Sequence, residues 1–197
     1  MTRSAHNILG VVLAGGSASR MGGADKGAVQ CGGKRLVDHV IDRLAPQVSE
    51  IIIAGTNAYG TPYEAVPDRD GAPFGPVAAL KAAAIWAGIQ QEQFTHLMCV
   101  PVDMPVIRPD TASLLRAAGD NAFAIDADHE FSALALWSVQ GLRHLFRSPE
   151  MPEAPSLRWV AKELGASAVQ MPAPSGLINL NTPDDVAAFE QELSTSS

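Results

Sequence analysis

The feature that most constrains the fold is a short apolar run near the start of the chain that stops at a pair of glycines. Residues 8–13 read ILGVVL, and Gly15 and Gly16 follow directly after Ala14. A continuous run of branched apolar residues predicts a strand buried on both faces, as in a parallel sheet. The glycines predict a loop whose backbone can turn sharply and approach a ligand closely.

Similar apolar runs recur along the chain and are separated by stretches with helical spacing. Strands are predicted at residues 51–54, 63–66 and 97–100, and helices at 36–44, 75–87 and 110–117. Further on, strands are predicted at 122–126, 131–137 and 168–171, and helices at 142–146, 157–164 and from 182 onward. Strands that alternate with helices imply right-handed βαβ units. We therefore predict an α/β fold with a Rossmann-like, mostly parallel sheet flanked by helices on both faces.

Composition excludes several classes of protein. The 197 residues are 47% hydrophobic and 18% charged, which indicates one globular domain over 1–193 and a disordered tail over 194–197. The 21 acidic and 14 basic residues give a net charge of −7, which argues against nucleic acid or an anionic membrane as partner. No apolar run is long enough for a bilayer, and the start of the chain lacks a signal-peptide pattern, so we expect a cytoplasmic protein.

The glycine loop after the first predicted strand carries candidate phosphate ligands. It reads LAGGSASRMGGADK over residues 13–26, so Arg20 and Lys26 are spaced within a stretch rich in free backbone N–H groups. Such groups suit a polyphosphate. The loop lacks the G-K-[ST] ending of a Walker A motif and the G-x-G-x-x-G of a dinucleotide site. An ordinary glycine-rich turn with solvated cations is the alternative interpretation.

Two acids follow other predicted strands, at the edge of the sheet where ligands of such folds bind. Asp103 lies between Pro101 and Pro105, which restrain the backbone on either side of it. A fixed carboxylate beside a phosphate loop is what Mg²⁺ uses, together with substrate phosphates. Asp68 could accept hydrogen bonds from a base or a ribose. A turn or helix-cap role is the alternative for Asp103, and a solvated turn is the alternative for Asp68.

A final polar motif precedes the predicted C-terminal helix. Residues 178–185 read INLNTPDD, and Thr182 and Pro183 have the properties of a helix N-cap and first position. A helix start does not account for Asn179 and Asn181, which would lie on one face of an extended segment. The five histidines lack zinc-ligand spacing, and the two cysteines do not suggest a disulfide framework.

The motifs LAGGSASRMGGADKG, GPVAAL, VPVDMP and INLNTPDD resemble, in order and spacing, those of the molybdenum cofactor guanylyltransferases. The resemblance covers nearly the whole chain and implies the nucleotidyltransferase fold. It also implies a reaction, in which the phosphate of Mo-molybdopterin attacks GTP, pyrophosphate leaves, and the guanine dinucleotide form of the cofactor is made. GTP and Mo-molybdopterin would be the substrates, and Mg²⁺ the metal cofactor. A protein that delivers molybdopterin is an implied partner.

The resemblance also implies roles for individual residues. The nucleotide would contact the strand end and the loop that follows it, together with three residues further along: Leu13, Ala14, Gly15, Gly16, Lys26, Asp68 and Asp103. Asp103 would bind Mg²⁺, and Asn179 and Asn181 would lie near the pterin. Catalysis would rest on Arg20, Lys26 and Asp103, which together neutralise charge on the phosphates.

Two departures from the family pattern, Ala54 and Ala79, occur where the resemblance implies that the base is selected. A cytidylyltransferase acting on the same cofactor, or an enzyme for another small phosphate, is therefore the alternative. A nucleotide-binding protein without turnover is a third reading, which the presence of both Lys26 and Asp103 disfavours.

Overall fold

Seven strands form one sheet in the part of the chain that the computed structural model describes, which is residues 7–14, 25–68, 75–90, 93–127 and 129–195. These strands are β1 Ile8–Leu13, β4 Glu50–Ala54, β5 Glu64–Val66, β6 His96–Pro101, β7 Ala122–Ile125, β8 Glu130–Ser138 and β9 Ser167–Gln170. Two shorter strands, β2 Gln30–Cys31 and β3 Lys34–Arg35, pair with each other as a separate hairpin.

The strand order of the sheet is β5-β4-β1-β6-β8-β7-β9. The first four strands in that order run parallel, β8 is antiparallel to both of its neighbours, and β9 is again parallel to β7. The predicted α/β fold with a mostly parallel sheet is confirmed. The carboxyl ends of β5, β4, β1 and β6 meet at one edge, and every predicted site residue in the described ranges lies there or in a segment that contacts it.

Helices cover both faces of the sheet, as predicted. They are α1 Leu36–Leu44, α2 Pro76–Ile89, α3 Thr111–Ala118, α4 Val139–Leu145, α5 Leu157–Glu163 and α6 Pro183–Thr195, with short 3-10 helices at Lys26–Ala28 and Ala45–Gln47. None of the described helices has both the length and the apolar character needed to cross a membrane. The helix α6 includes residues 194 and 195 of the predicted disordered tail, and residues 196–197 lie outside the described ranges.

Two hydrophobic cores lie on opposite faces of the sheet, and the alternation of side chains along β1 serves both. Leu9 and Val11 pack into the core formed with α2, α4 and α5. Ile8 and Val12 pack into the core formed with α1 and α3. Because successive strand residues point to opposite faces, an uninterrupted apolar run is what a strand between two helix layers requires.

A third cluster joins the β2–β3 hairpin to α6. Its buried members are Cys31, Leu36, Leu180, Val186 and Phe189. The start of α6 is capped as the sequence predicts, because the Asp185 N–H donates to Thr182 Oγ1 at 3.2 Å. The last helix of the chain is therefore fastened to the segment that begins just after the glycine loop.

Candidate active site

The centre of the site is an ion pair between the first and third predicted motifs. Lys26 Nζ donates to Asp103 Oδ2 at 2.6 Å, although the two residues are 77 positions apart. Their side chains are 22% and 19% exposed, so both are accessible from solvent yet partly screened from it. The pair brings together a cation suited to phosphate and a carboxylate suited to a metal, at the carboxyl edge of the sheet.

Backbone contacts hold the loop that carries Asp103. The Val102 N–H donates to the carbonyl of Leu13 at 3.1 Å, and the Met104 N–H donates to the carbonyl of Pro101 at 3.0 Å. The side chains of Val102 and Met104 are buried. The carboxylate therefore projects from a loop whose neighbours are fixed in the core, which limits its freedom of movement.

The C-terminal motif lies against this same loop. The Leu180 N–H donates to the carbonyl of Asp103 at 2.7 Å, and Ile178 bridges to Val106 in an antiparallel sense. Leu180 is buried between Asn179 and Asn181, which are both exposed. The structure thus brings the two predicted asparagines beside the predicted metal ligand.

Asp25, just before Lys26, joins the site to the loop after β4. Its Oδ1 accepts the Gly27 N–H at 3.0 Å and the Tyr59 hydroxyl at 2.6 Å, and its Oδ2 accepts Asn57 Nδ2 at 3.2 Å. Burial, and next the hydrogen bond to the Asp25 carboxylate, raise the pKa of Tyr59 well above its ordinary value. Tyr59 therefore remains a hydroxyl donor at physiological pH.

Asp68 lies apart from the other site residues. It follows β5, so β4 and β1 separate it from β6 and Asp103, a lateral distance of ~14 Å at about 4.8 Å per strand. Its side chain is exposed, but partial burial by neighbouring protein atoms raises the pKa of its carboxyl. The structure does not place Asp68 in contact with Lys26 or Asp103.

Main-chain groups at the end of β1 are already hydrogen-bonded within the fold, since the Leu13 carbonyl accepts the Val102 N–H. The side chain of Leu13 is 6% exposed and belongs to the core, so Leu13 could meet a ligand only through main-chain atoms. The Ala14 N–H donates to the carbonyl of Ala54 at 3.0 Å. Gly15, Gly16 and Arg20, which the sequence analysis assigns to the site, lie outside the described residues.

The two positions that depart from the family pattern are both buried. Ala54 is 0% exposed and Ala79 is 1% exposed, and both methyl groups belong to the core beneath α2. Neither side chain is available to contact a base. Both methyl groups pack inward, and a role of these two positions in selecting the base stays a prediction.

Comparison with known proteins identifies the family. Residues 10–166 match the family model described as the MobA-like NTP transferase domain. A molybdenum cofactor guanylyltransferase of Cereibacter sphaeroides (strain ATCC 17029 / ATH 2.4.9) is 34% identical over 194 residues, which cover 94% of this chain and 97% of that protein. The chain belongs to the MobA-like NTP transferase family. Another relative of the same name, from Shewanella sp. (strain MR-4), is 32% identical over 94% of this chain and 96% of its own length.

A solved structure shows that the family fold extends over nearly the whole chain. Molybdopterin-guanine dinucleotide biosynthesis protein A from Archaeoglobus fulgidus superposes with a TM-score of 0.74 at 20% identity, covering 95% of this chain and 99% of that one. At this identity the likeness concerns the fold alone. The sequence match thus assigns this MobA-like NTP transferase to the nucleotidyltransferases. Its fold is that of other nucleotidyltransferases.

The side chains described in this MobA-like NTP transferase are suited to a metal ion that is held mainly by the phosphates of a bound substrate. They contain no group of three or more His, Cys, Asp or Glu side chains that could hold an ion by themselves. Asp103 offers one partly exposed carboxylate that already neutralises a cation. Mg²⁺ is commonly held by one or two carboxylates plus phosphates and water, so this donor set suits it.

Sequence reasoning missed Asn57 and Tyr59 in this MobA-like NTP transferase. Neither belongs to a recognised motif, and the contact between Tyr59 and Asp25 spans 34 residues. Local patterns carry no signal for such a contact. The one available hint is the acid at Asp25, whose side chain the sequence analysis left without a role.

Proposed function

We propose that the protein transfers GMP from GTP to the phosphate of Mo-molybdopterin, giving the guanine dinucleotide form of the cofactor and pyrophosphate. The observation that carries the proposal is the Lys26–Asp103 pair at the carboxyl edge of the sheet. It supplies a phosphate cation and a metal-type carboxylate together, in a chain that is 34% identical to a molybdenum cofactor guanylyltransferase. A molybdopterin-delivering protein belongs to the same proposal, on the strength of the family alone.

The proposed reaction makes one phosphorus–oxygen bond and breaks another. A phosphate oxygen of the cofactor attacks the α-phosphorus of GTP, and the bond from that phosphorus to its bridging oxygen breaks. Pyrophosphate leaves with the electron pair. Because the attacking group is already an anion, no strong general base is needed, which fits a site built from Lys26, Asp103 and asparagines. Such transfers depend on positioning and on neutralising charge.

Each residue near the Lys26–Asp103 pair has a separate role in the proposed reaction. When GTP binds, Lys26 leaves Asp103 and binds the phosphate oxygens, whose negative charge it balances. Arg20 is the second cation in this role. Asp103, released from the lysine, is the residue that would hold Mg²⁺. The ion, when bound, withdraws charge from the phosphates.

The remaining assignments follow the geometry of the edge. In this proposal Asp68, three strands away from Asp103, meets the nucleoside end of an extended nucleotide. We further propose that Asn179 and Asn181, which flank the Leu180 contact with Asp103, meet the molybdopterin. The Leu13 and Ala14 backbone and the Gly15-Gly16 loop complete the nucleotide contacts in this proposal.

A turnover assay with matched variants tests the proposal. The protein is mixed with Mg²⁺, Mo-molybdopterin and either GTP, CTP or ATP, and the dinucleotide product is measured by mass spectrometry alongside pyrophosphate. We expect product with GTP and its loss by at least about a hundredfold in Asp103→Asn, a typical effect of removing charge stabilisation. Asp42→Asn is the control, because it breaks a similar ion pair, Lys34 Nζ to Asp42 Oδ2 at 2.7 Å, on the exposed surface.

Other outcomes would redirect the assignment. Product with CTP alone would make the protein a cytidylyltransferase for the same cofactor. Full turnover in Asp103→Asn would contradict the role given to that carboxylate. GTP binding without product in any mixture would favour a nucleotide-binding protein without turnover.

A further inference from the structure

The carboxylate of Asp25 ties two separate loops together directly beside Lys26. Its Oδ1 receives the Gly27 N–H from the turn that carries Lys26, and also the Tyr59 hydroxyl from the loop after β4. The hydroxyl contact, at 2.6 Å, is the shortest of the three that Asp25 receives from the residues that the structure describes. The turn is therefore held from outside, by a residue that is distant in sequence.

Tyr59 is itself fixed on every side. It is 8% exposed, and its backbone adopts a φ of +53°, a conformation that few residues other than glycine adopt. Its N–H donates to Asn57 Oδ1 at 2.8 Å, which holds this turn in place. Its carbonyl accepts a short hydrogen bond from Arg35 Nη1, and Arg35 is held in turn by Asp38 through two contacts of 2.7 Å. The hydroxyl thus belongs to a rigid support anchored on α1.

Gly27 shows how closely the tyrosine ring covers the turn. A Cβ atom at this position would lie 2.5 Å from Tyr59 Cζ and from its hydroxyl oxygen. Heavy atoms do not approach so closely, so only glycine leaves room for the ring. Lys26 lies between the two residues that meet Tyr59, namely Asp25 through its carboxylate and Gly27 through its backbone.

We propose that Tyr59, acting through Asp25, is a positioning residue that sets Lys26 beside Asp103 and in reach of the nucleotide phosphates. The last part rests on the function proposed above, whereas the placement of Lys26 beside Asp103 does not. Tyr59 touches no reacting atom in this account. It works by fixing the backbone from which the lysine extends, and the tyrosine stays protonated because burial and the Asp25 carboxylate favour its neutral form.

Chemical labelling of Lys26 tests the placement without any nucleotide. Brief acetylation with acetic anhydride is followed by peptide mass spectrometry, and the rate at Lys26 is divided by the rate at the exposed Lys34. In the wild-type protein we expect the contact with Asp103 to slow the reaction of Lys26. We expect Tyr59→Phe, which keeps the ring and removes the hydroxyl, to raise this ratio severalfold. Tyr63→Phe is the control, because the Tyr63 hydroxyl makes no hydrogen bond within the described residues. An unchanged ratio in Tyr59→Phe overturns the proposal.

A double-mutant cycle connects the placement to nucleotide binding. The Kd for GTP with Mg²⁺ is measured for the wild type, Tyr59→Phe, Lys26→Ala and the double variant. We expect Tyr59→Phe to weaken binding about tenfold, as loss of a hydrogen bond to a charged group can, and to change nothing further once Lys26 is absent. Equal weakening in both backgrounds overturns the proposal, because a purely structural role would not depend on Lys26.

The two experiments separate this inference from the proposed function. If the wild type binds no GTP but the labelling ratio rises in Tyr59→Phe, the positioning of Lys26 stands and the proposed function fails. If GTP binds and Lys26→Ala weakens it, while Tyr59→Phe alters neither Kd nor labelling, the function stands and the inference fails.

Discussion

At the scale of single residues, the Lys26–Asp103 contact gives this site an internal counterion. The ammonium lies 2.6 Å from the carboxylate that the proposed reaction needs for a metal. Since both groups are about one-fifth exposed, solvent screens their attraction only in part. In the proposed reaction, the lysine and a divalent ion would compete for the same carboxylate until the nucleotide gave the lysine other anions to bind.

This competition predicts that removing the Lys26 ammonium raises the affinity of the site for a divalent ion. Lys26→Met should raise the affinity for Mn²⁺ in the absence of nucleotide, by about tenfold, because Asp103 is left without its neutralising partner. The same variant should bind GTP more weakly, since a phosphate ligand is lost. Free Mn²⁺ is measured by electron paramagnetic resonance during titration. Lys34→Met, which frees the exposed Asp42, is the control, and an equal change in the two variants would argue against a metal role for Asp103.

Some of the contacts between residues could be predicted from the sequence, and others could not. The proximity of Lys26 and Asp103 could be predicted, because each lies in a segment that follows a strand of a parallel sheet, and such strand ends meet at one edge. Tyr59 could not, because its role depends on a backbone turn and on a contact with a segment 34 residues away. The involvement of Ala54 and Ala79 in choosing the base stays a prediction, although both side chains are buried in the core.

At the scale of elements, α6 depends on the cap at its start. Asp185 Oδ2 accepts the backbone N–H groups of Asn181 and Thr182, each at 2.8 Å. These hydrogen bonds favour the ionised form and lower the pKa of the Asp185 carboxyl. A carboxyl with a lowered pKa stabilises the folded state above its unfolded pKa, and that stabilisation is lost as the pH falls through the folded pKa.

The cap therefore predicts that loss of the Asp185 carboxylate destabilises the fold in a pH-dependent way. Asp185→Ala should lower the free energy of unfolding at neutral pH, and its difference from the wild type should shrink as the pH is taken below about 4. Urea unfolding at a series of pH values measures this. Asp184→Ala is the control, since Asp184 occupies the same first turn but accepts no hydrogen bond within the described residues. Matching effects at both positions would assign the stabilisation to the helix dipole and not to the cap.

The elements also show what local pattern can and cannot specify. The start of α6 at Thr182-Pro183 was predicted from residues that act within one turn. The β2–β3 hairpin was not predicted, although Gly32 and Gly33, with φ of +57° and +78°, are the residue type such a turn requires. The strand at 131–137 was predicted, but not its antiparallel direction, because alternation of side chains is the same in both directions.

At the scale of the whole molecule, the two cysteines report on different parts of the fold. Cys31 is buried beneath α6, where its thiol faces the carbonyl of Val186 at 3.7 Å. Cys99 is buried in β6, at the centre of the sheet between β1 and β8. Burial raises the pKa of both thiols, so each reacts slowly until its surroundings open.

This arrangement predicts two distinct labelling rates. Under native conditions iodoacetamide should modify Cys31 before Cys99, because opening α6 alone exposes Cys31, whereas Cys99 requires opening of the central strands. Asp185→Ala should accelerate labelling of Cys31 and leave Cys99 unchanged. Peptide mass spectrometry over time distinguishes the two sites. Equal rates that respond equally to the variant would mean that α6 and the sheet open as one unit.

The contact of Leu180 with Asp103 joins two segments that leave the ribosome at different times. The strands that form the nucleotide edge, up to β6 and the Asp103 loop, leave the ribosome well before residues 178–181. A nascent chain that has emerged only as far as the Asp103 loop therefore lacks the segment that bears Asn179 and Asn181. Only a chain extended past Asn181 can hold all the residues of the proposed site.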